Sequence, residues 1–164
     1  MQFHLNGFRP GDPTVYPASA TARKVGEPLP EEVDVLIAGC GPAGLCLAAQ
    51  LARFPEISTM IVEPKLGPME KGQADGISVR SMEMFQAFGF GEKVSRESVW
   101  INETTFWTPS PDELSSIRRV GRVQDVADGL TEMPHVLLNQ ARVHDMFLDV
   151  MRNSPSRLQP EYGV

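Results

Sequence analysis

The feature that most constrains this chain is the segment VDVLIAGCGPAG at positions 33–44, where an apolar run ends in closely spaced glycines. The run up to Ala38 is short and rich in β-branched residues, which favours a strand buried on both faces of a parallel sheet. Pro42 suits the first turn of a helix, because its missing N–H needs no partner there. Helical sequence continues to Phe54, and Pro55 ends it. We therefore expect a strand, a tight turn and a helix in succession.

Each glycine of this turn has its own steric role in a dinucleotide site. Gly39 permits the tight turn, Gly41 lets the backbone approach a pyrophosphate, and Gly44 lets the helix pack closely on the strand. The free N–H groups and the positive dipole end of the helix point to the same place. The predicted cofactor contacts of the turn are Gly39, Gly41, Pro42, Ala43 and Gly44. A glycine-rich turn in an unrelated α/β unit is the alternative for this pattern taken alone.

An acidic residue at a suitable distance strengthens the dinucleotide interpretation. The apolar run STMIVE predicts a second, parallel strand, and its last residue, Glu63, follows Gly44 by 19 positions. A carboxylate at the end of that strand can accept hydrogen bonds from an adenosine ribose, whereas it would repel the 2′-phosphate of NADP. NAD and FAD share the ADP half of the cofactor, so this motif does not separate them.

Composition and charge exclude several classes of protein. A chain of 164 residues with 41% hydrophobic and 22% charged residues can form one domain with a core. The net charge of -6, without a cluster of Lys and Arg, argues against a nucleic-acid partner. No apolar stretch approaches the roughly 20 residues that span a bilayer, and no signal peptide is evident, so no membrane partner and a cytoplasmic location are expected.

The two cysteines do not suggest a disulfide framework. Cys40 lies inside the glycine turn and Cys46 lies on the following helix. We expect both to be small buried residues near a cofactor. No metal site is predicted.

Prolines and hydrophobic periodicity organise the rest of the chain. Residues 1–30 contain five prolines and are expected to form an irregular arm on the domain or on a partner subunit, with disorder as the alternative. Residues 31–164 are expected to form the domain. Helices are predicted over 78–88 and 140–152, and a β-excursion with a loop over 100–125.

Two further segments carry a more specific pattern. They are GPMEKGQADGISVRSMEMFQAF at 67–88 and PHVLLNQARVHD at 134–145. Both resemble the FAD-dependent aromatic hydroxylases, in particular the branch of phenol hydroxylase and 3-hydroxybenzoate 4-hydroxylase. The likeness runs from MQFHLNGFRPG at the start to NSPSRLQP near the end. It implies an α/β, Rossmann-like FAD-binding domain with a mostly parallel sheet, FAD as cofactor, NADPH as co-substrate and a small phenolic substrate.

The resemblance also implies roles for individual residues. Asp75 is expected at the active site as a general base or proton relay near the substrate hydroxyl; alone, an Asp-Gly pair favours a turn in which glycine takes positive φ. His135 is expected to help hold the substrate carboxylate or a ring substituent, with a satisfied strand-edge histidine as the alternative. Arg80, Gln73 and Gln140 are expected at the cofactor, with solvated helix positions as the alternative for Arg80 and Gln140. 

A histidine outside this set, His144, lies beside Asp145 and is expected to be a surface or capping group.

The pattern of a complete hydroxylase is only partly present. Such enzymes also carry a second flavin fingerprint containing Gly-Asp and a substrate domain, and neither occurs in these 164 residues. We therefore expect an N-terminal part with an incomplete fold, which by itself binds FAD weakly and does not hydroxylate, because a flavin pocket needs walls from both halves. A homodimer is an open possibility for the full-length enzyme.

Three functional interpretations follow. The first is part of a monooxygenase that hydroxylates a phenolic acid, with 3-hydroxybenzoate as the expected substrate and phenol as the alternative. The second is a non-catalytic nucleotide-binding module. The third, part of an NAD-dependent dehydrogenase, fits the glycine turn but not the sequence GQADGI.

Overall fold

A computed structural model describes residues 14–24 and 26–164. The chain separates into two compact units. Unit 1 combines the described residues up to Glu70 with Ala141–Val164, and unit 2 is Lys71–Gln140. In chain order the elements are β1 (Val35–Ala38), α1 (Pro42–Leu51), β2 (Thr59–Glu63), β3 (Gly76–Ile77), α2 (Val79–Phe88), α3 (Gly91–Glu97), β4 (Val99–Ile101), β5 (Glu103–Pro109), β6 (Ile117–Gln124), β7 (His135–Leu137), α4 (Gln140–Arg152) and β8 (Glu161–Tyr162).

Unit 1 contains a parallel sheet with the strand order β1-β2-β8. The first pair is in register from Val35 opposite Thr59 to Ala38 opposite Val62. Helix α1 connects these two strands, so the predicted strand, turn, helix and parallel return strand are confirmed, although α1 ends at Leu51 and not at the predicted Phe54. The same register brings the glycine turn after β1 beside the carboxyl end of β2.

The prediction that β1 is buried on both faces is wrong for this chain. Ile37 is buried, but its neighbour Leu36 is 58% exposed. Successive side chains of a strand point to opposite faces, so only one face of β1 is covered within the described residues. An apolar run alone does not show whether one or both faces of the strand are covered by other elements, and this explains the difference.

Helix α4 has the predicted bounds, but one of its residues lies elsewhere than expected. Val143, Phe147 and Met151 are buried at spacings of four, as an amphipathic helix requires. His144 is only 4% exposed, so the expectation of a surface or capping group is wrong. It lies three positions before Phe147, and residues with that spacing share a helix face. The imidazole therefore extends the apolar stripe of α4.

The described part of the predicted arm follows the surface of unit 1. The Tyr16 N–H donates to the Asn153 carbonyl at 2.9 Å, and the Ser19 N–H donates to the Pro155 carbonyl at 2.9 Å. The Arg53 guanidinium lies 4.5 Å from the centre of the Tyr16 ring. Residues 14–24 thus contact unit 1, whereas the expected irregular structure of residues 1–13 lies outside the described residues.

Unit 2 is built from antiparallel strands. One sheet has the order β3-β7-β4, and β5 and β6 form a hairpin with a register irregularity between Phe106 and Trp107. This confirms the predicted β-excursion. The predicted α/β class is also confirmed, while parallel pairing is confined to unit 1 among the described strands.

The predicted helix over 78–88 is α2. Met82 and Phe85 are its buried residues, and Gly89 ends it in the left-handed conformation with φ of 89°. The Phe85 and Phe90 rings then pack with their centres 4.9 Å apart. Across the described residues of both units, no helix is long and apolar enough to cross a membrane.

Candidate functional site

The glycine turn of unit 1 has the backbone geometry of a tight strand-to-helix connection. Gly39 has φ of 102°, in the region that side chains disfavour. Its N–H donates to the Val62 carbonyl at 2.8 Å, which ties the turn to the end of β2. Gly41 is the N-cap of α1, and its carbonyl accepts the first helical hydrogen bond from Leu45 at 3.0 Å.

Gly41 has open space around it, whereas Gly44 is tightly packed. A Cβ added to Gly41 would meet no atom within 4 Å, so the turn is open at that position. A Cβ added to Gly44 would overlap the carbonyl oxygen of Gly39 and would lie 3.3 Å from its carbonyl carbon. Gly44 therefore allows the close contact between helix and turn, while Gly41 leaves room for a ligand. Both geometries agree with the steric roles expected for a diphosphate site.

The first residues of α1 face solvent. Pro42 occupies the first helical position, and both Pro42 and Ala43 are exposed. N–H groups in the first turn of a helix have no intrahelical acceptor, so those of Ala43 and Gly44 remain for an anionic ligand. The residues of the turn thus fit the diphosphate of a dinucleotide.

Glu63 is bonded to the same turn. Its Oε2 accepts from the Cys40 N–H at 2.9 Å, and its Oε1 accepts from the Lys65 N–H at 3.2 Å. The Cys40 hydrogen bond, followed by that of Lys65, lowers the pKa of the Glu63 carboxyl, which favours its charged form. A carboxylate offers about four acceptor positions, so about two remain for ribose hydroxyls.

Buried polar side chains surround this carboxylate. Tyr162 is opposite Glu63 in the register of β2 and β8, and burial raises the pKa of its phenol to about 12. Burial, assisted by the charge of Glu63, raises the pKa of the Cys40 thiol to about 11. Burial also lowers the pKa of the His144 imidazole. All three groups favour their neutral forms, so Glu63 supplies the negative charge beside the turn.

The cysteines lie as expected for structural residues. Cys40 is buried, Cys46 is half-buried, and neither of these two described residues forms a disulfide. Burial also raises the pKa of the Cys46 thiol. A thiol with a raised pKa is a poor nucleophile and metal ligand.

In unit 2 the predicted catalytic residue Asp75 lies directly before β3. Its side chain is exposed, and its carbonyl accepts from the Leu138 N–H at 2.9 Å. Gly76 pairs with Leu137 in the sheet and does not have positive φ. The alternative in which Asp75-Gly76 is a turn pair with a positive-φ glycine is therefore wrong.

The structure brings the predicted substrate residue His135 beside the same segment. A Cβ added to Gly76 would lie 3.7 Å from His135 Nε2. The other ring nitrogen, Nδ1, is 2.8 Å from Asp125 Oδ2. Asp125 was missed because it follows the exposed hairpin in sequence, and only the pairing of strands places it near β7. The sequence signal that could have identified Asp125 is an acidic residue directly after a predicted strand.

The predicted cofactor residues of unit 2 fall into two places. The Gln73 N–H donates to Gln140 Oε1 at 2.8 Å, which joins the two glutamines. Arg80 is exposed on the first turn of α2, where it forms an ion pair with Glu83 at 2.9 Å. Among residues 14–24 and 26–164, no cluster of three or more His, Cys, Asp and Glu side chains could hold a metal ion.

The parallel sheet, the glycine turn and Glu63 together define an α/β dinucleotide-binding domain of the Rossmann type. Comparison with known sequences then gives the family. The family profile described as FAD binding domain matches residues 32–160. The chain therefore belongs to the family of FAD binding domains, and FAD is the cofactor of this class.

Individual relatives agree with that assignment. The chain is 64% identical over 163 residues to a 3-hydroxybenzoate 4-monooxygenase from Comamonas testosteroni, covering 99% of this chain and 26% of the relative. It is 30% identical over 128 residues to the phenol 2-monooxygenase fsqG from Aspergillus fumigatus, covering 78% of this chain and 21% of the relative. The chain thus spans about a quarter of the length of these relatives.

A solved structure shows the same fold. The crystal structure of p-nitrophenol 4-monooxygenase PnpA from Pseudomonas putida DLL-E4 matches with a TM-score of 0.67 and 17% identity. The match covers 80% of this chain and 32% of that one. At this identity the likeness supports the fold alone.

Proposed function

We propose that this chain is the N-terminal part of an FAD-dependent monooxygenase that hydroxylates a phenolic aromatic acid, with 3-hydroxybenzoate as substrate and position 4 as the site of reaction. NADPH and O2 are the co-substrates. The observation that carries the proposal is the 64% identity to the Comamonas testosteroni 3-hydroxybenzoate 4-monooxygenase across 163 residues. The term full-length enzyme is used below for the proposed protein that contains this chain and has the length of that relative. We place it in the cytoplasm, with a homodimer as its assembly.

Unit 1 is proposed to hold the ADP half of FAD. The diphosphate would accept hydrogen bonds from the N–H groups at the start of α1, where the open space at Gly41 permits close approach. Glu63 would accept hydrogen bonds from the ribose with the oxygen positions that Cys40 and Lys65 leave open. Gln73, Arg80 and Gln140 are proposed as further cofactor contacts, as the resemblance implies.

Unit 2 is proposed to act on the substrate. The chemistry that reduced FAD would supply here is an activated oxygen for transfer to the ring. A phenolic ring reacts faster when its hydroxyl is deprotonated or donates a strong hydrogen bond, since electron density then rises at the ortho and para carbons. We assign Asp75 as a general base or proton relay near this hydroxyl and His135 as a substrate contact. The short distance between the Gly76 position and His135 Nε2 supports this assignment.

The test is the variant Asp75→Ala in the full-length enzyme. We expect FAD to remain bound and hydroxylation of 3-hydroxybenzoate to fall by about 100-fold or more, the usual size of general acid–base catalysis. The matched control is Asp112→Ala, which removes a carboxylate from the exposed loop after β5 and should leave turnover unchanged. Product formation by Asp75→Ala at the wild-type rate would remove Asp75 from the mechanism.

A second candidate activity is phenol 2-hydroxylation, favoured by the relative from Aspergillus fumigatus. A substrate screen of the full-length enzyme separates the two, because a hydroxybenzoate enzyme prefers the charged acid to phenol. Absence of any substrate-dependent NADPH oxidation would instead favour a non-catalytic nucleotide-binding module.

A further inference from the structure

The pair formed by Asp125 and His135 joins two sheets of unit 2. Asp125 follows β6 of the hairpin, and His135 begins β7 of the three-stranded sheet. Their side chains are 19% and 31% exposed, and Nδ1 lies 2.8 Å from Oδ2. Asp125 is itself held in place, since its N–H donates to the Asn102 carbonyl at 3.1 Å. The backbone that carries this carboxylate is therefore held beside the ring.

This contact determines the chemistry of the two ring nitrogens. An ionised carboxylate can only accept hydrogen bonds, so Nδ1 of His135 must carry the hydrogen in their contact. In a neutral imidazole the other nitrogen, Nε2, is then an acceptor. Nε2 lies beside the Asp75-Gly76 segment, since a Cβ added to Gly76 would be 3.7 Å from it.

We propose that Asp125 is a positioning residue that holds His135 with its hydrogen on Nδ1, so that Nε2 accepts a hydrogen bond from the phenolic hydroxyl of the substrate. The inference deepens the proposed function and rests on it. It also assigns His135 to the hydroxyl rather than to the carboxylate of a hydroxybenzoate, because an unprotonated nitrogen has no hydrogen to offer a carboxylate. Acceptance of this hydrogen bond would raise the electron density of the ring at the carbon to be hydroxylated.

The experiment compares two ligands that differ only in the hydroxyl. The full-length holoenzyme is titrated with 3-hydroxybenzoate and with benzoate, and binding is followed by the flavin absorbance. In Asp125→Ala the ring is free to change tautomer, so we expect the Kd of 3-hydroxybenzoate to rise about 5- to 10-fold, the size of one lost hydrogen bond. The Kd of benzoate should stay within about twofold. Asp125→Glu, which returns a carboxylate, should recover part of the difference.

The matched control is Asp128→Ala. Asp128 lies three positions further on and accepts from Gln124 Nε2 at 2.7 Å, so the variant removes a nearby charge without touching His135. It should bind both ligands like the wild type. Equal weakening of both ligands by Asp125→Ala would assign His135 to the carboxylate, and unchanged binding of both would remove Asp125 from the site. Either result overturns the inference.

A spectroscopic measurement keeps the inference testable if Asp125→Ala fails to fold. The ¹⁵N spectrum of histidine-labelled wild-type enzyme should show a protonated Nδ1 and an unprotonated Nε2 for His135, assigned by loss of the signal in His135→Asn. The opposite assignment would refute the positioning role. Failure of the proposed function is a different result, namely wild-type enzyme that neither binds nor hydroxylates 3-hydroxybenzoate.

Discussion

Substitution of Gly41 should separate cofactor binding from folding. The position has φ of -71° and ψ of 175°, which alanine adopts without strain, and an added Cβ meets no atom within 4 Å. Alanine is a poorer N-cap than glycine by about 0.5–1 kcal/mol, but it lowers the entropy of the unfolded chain by about 0.4–1 kcal/mol. These effects nearly cancel, so Gly41→Ala should change the free energy of unfolding by less than about 0.5 kcal/mol.

The affinity for the cofactor, in contrast, should fall strongly in Gly41→Ala. The methyl group of Gly41→Ala would occupy the open space through which the diphosphate reaches the backbone N–H groups. Each hydrogen bond from such a group to a charged oxygen contributes at least about 1.5 kcal/mol. Loss of two therefore weakens binding by about 3 kcal/mol, which is more than 100-fold in Kd.

Gly44→Ala provides the matched contrast within the same turn. Alanine is favoured over glycine inside a helix by about 1 kcal/mol, yet here its Cβ would overlap the Gly39 carbonyl oxygen. Gly39 is not free to move, because its N–H is bonded to the Val62 carbonyl at 2.8 Å. Overlap with a backbone atom puts the overpacking cost at the upper end of the usual range, about 3 kcal/mol, so with the gain of about 1 kcal/mol we expect a net loss of about 2 kcal/mol in the free energy of unfolding.

Two assays read these outcomes. Urea unfolding of the chain gives the stabilities, and titration of the full-length apoenzyme with FAD gives the affinities. Wild-type FAD affinity in Gly41→Ala would show that the turn does not contact the diphosphate. Wild-type stability in Gly44→Ala would show that the close packing of helix on turn is absent.

Two further predictions concern stability alone. Burial lowers the pKa of His144 below its usual 6.5, so below that pH the unfolded chain binds more protons than the folded chain. The free energy of unfolding should therefore fall as the pH drops below about 6.5, by at most about 1.4 kcal/mol per pH unit. In urea unfolding between pH 7.5 and 5.5, His144→Gln should flatten this slope. An equal slope in the variant would contradict the assignment. Gly89→Ala should cost about 1 kcal/mol, because φ of 89° disfavours a side chain although the space is empty, whereas Gly67→Ala, also in open space but without positive φ, should be neutral. Equal midpoints for these two variants would refute the argument from φ.

Local patterns predicted the elements of the fold well. The strand, turn and helix around Gly41, the parallel return to Glu63 and the full extent of α4 all follow from short-range rules of glycine, proline and periodicity. These features depend on neighbours along the chain. Their prediction therefore needed no knowledge of distant contacts.

Contacts between distant residues were not predictable in the same way. Asp125 and His135 are ten positions apart and meet because Asp125 is bonded to Asn102, the residue directly after β4, whose last residue Ile101 pairs with His135. Strand β8 has two residues and follows an irregular segment, so no periodicity marks it. The burial of His144 was not predicted, because the charged neighbour Asp145 suggested a polar surface. Asp145 is exposed, however, and lies on a different face of α4 from His144.

The hydrogen bond from the Cys40 N–H to Glu63 has a consequence for the kinetics of nucleotide capture. The hydrogen bond holds the loop in one conformation in the absence of nucleotide, so little conformational entropy would be lost when a nucleotide binds. Under the proposed function, such preorganisation would let the adenosine end of FAD bind without rearrangement of the loop.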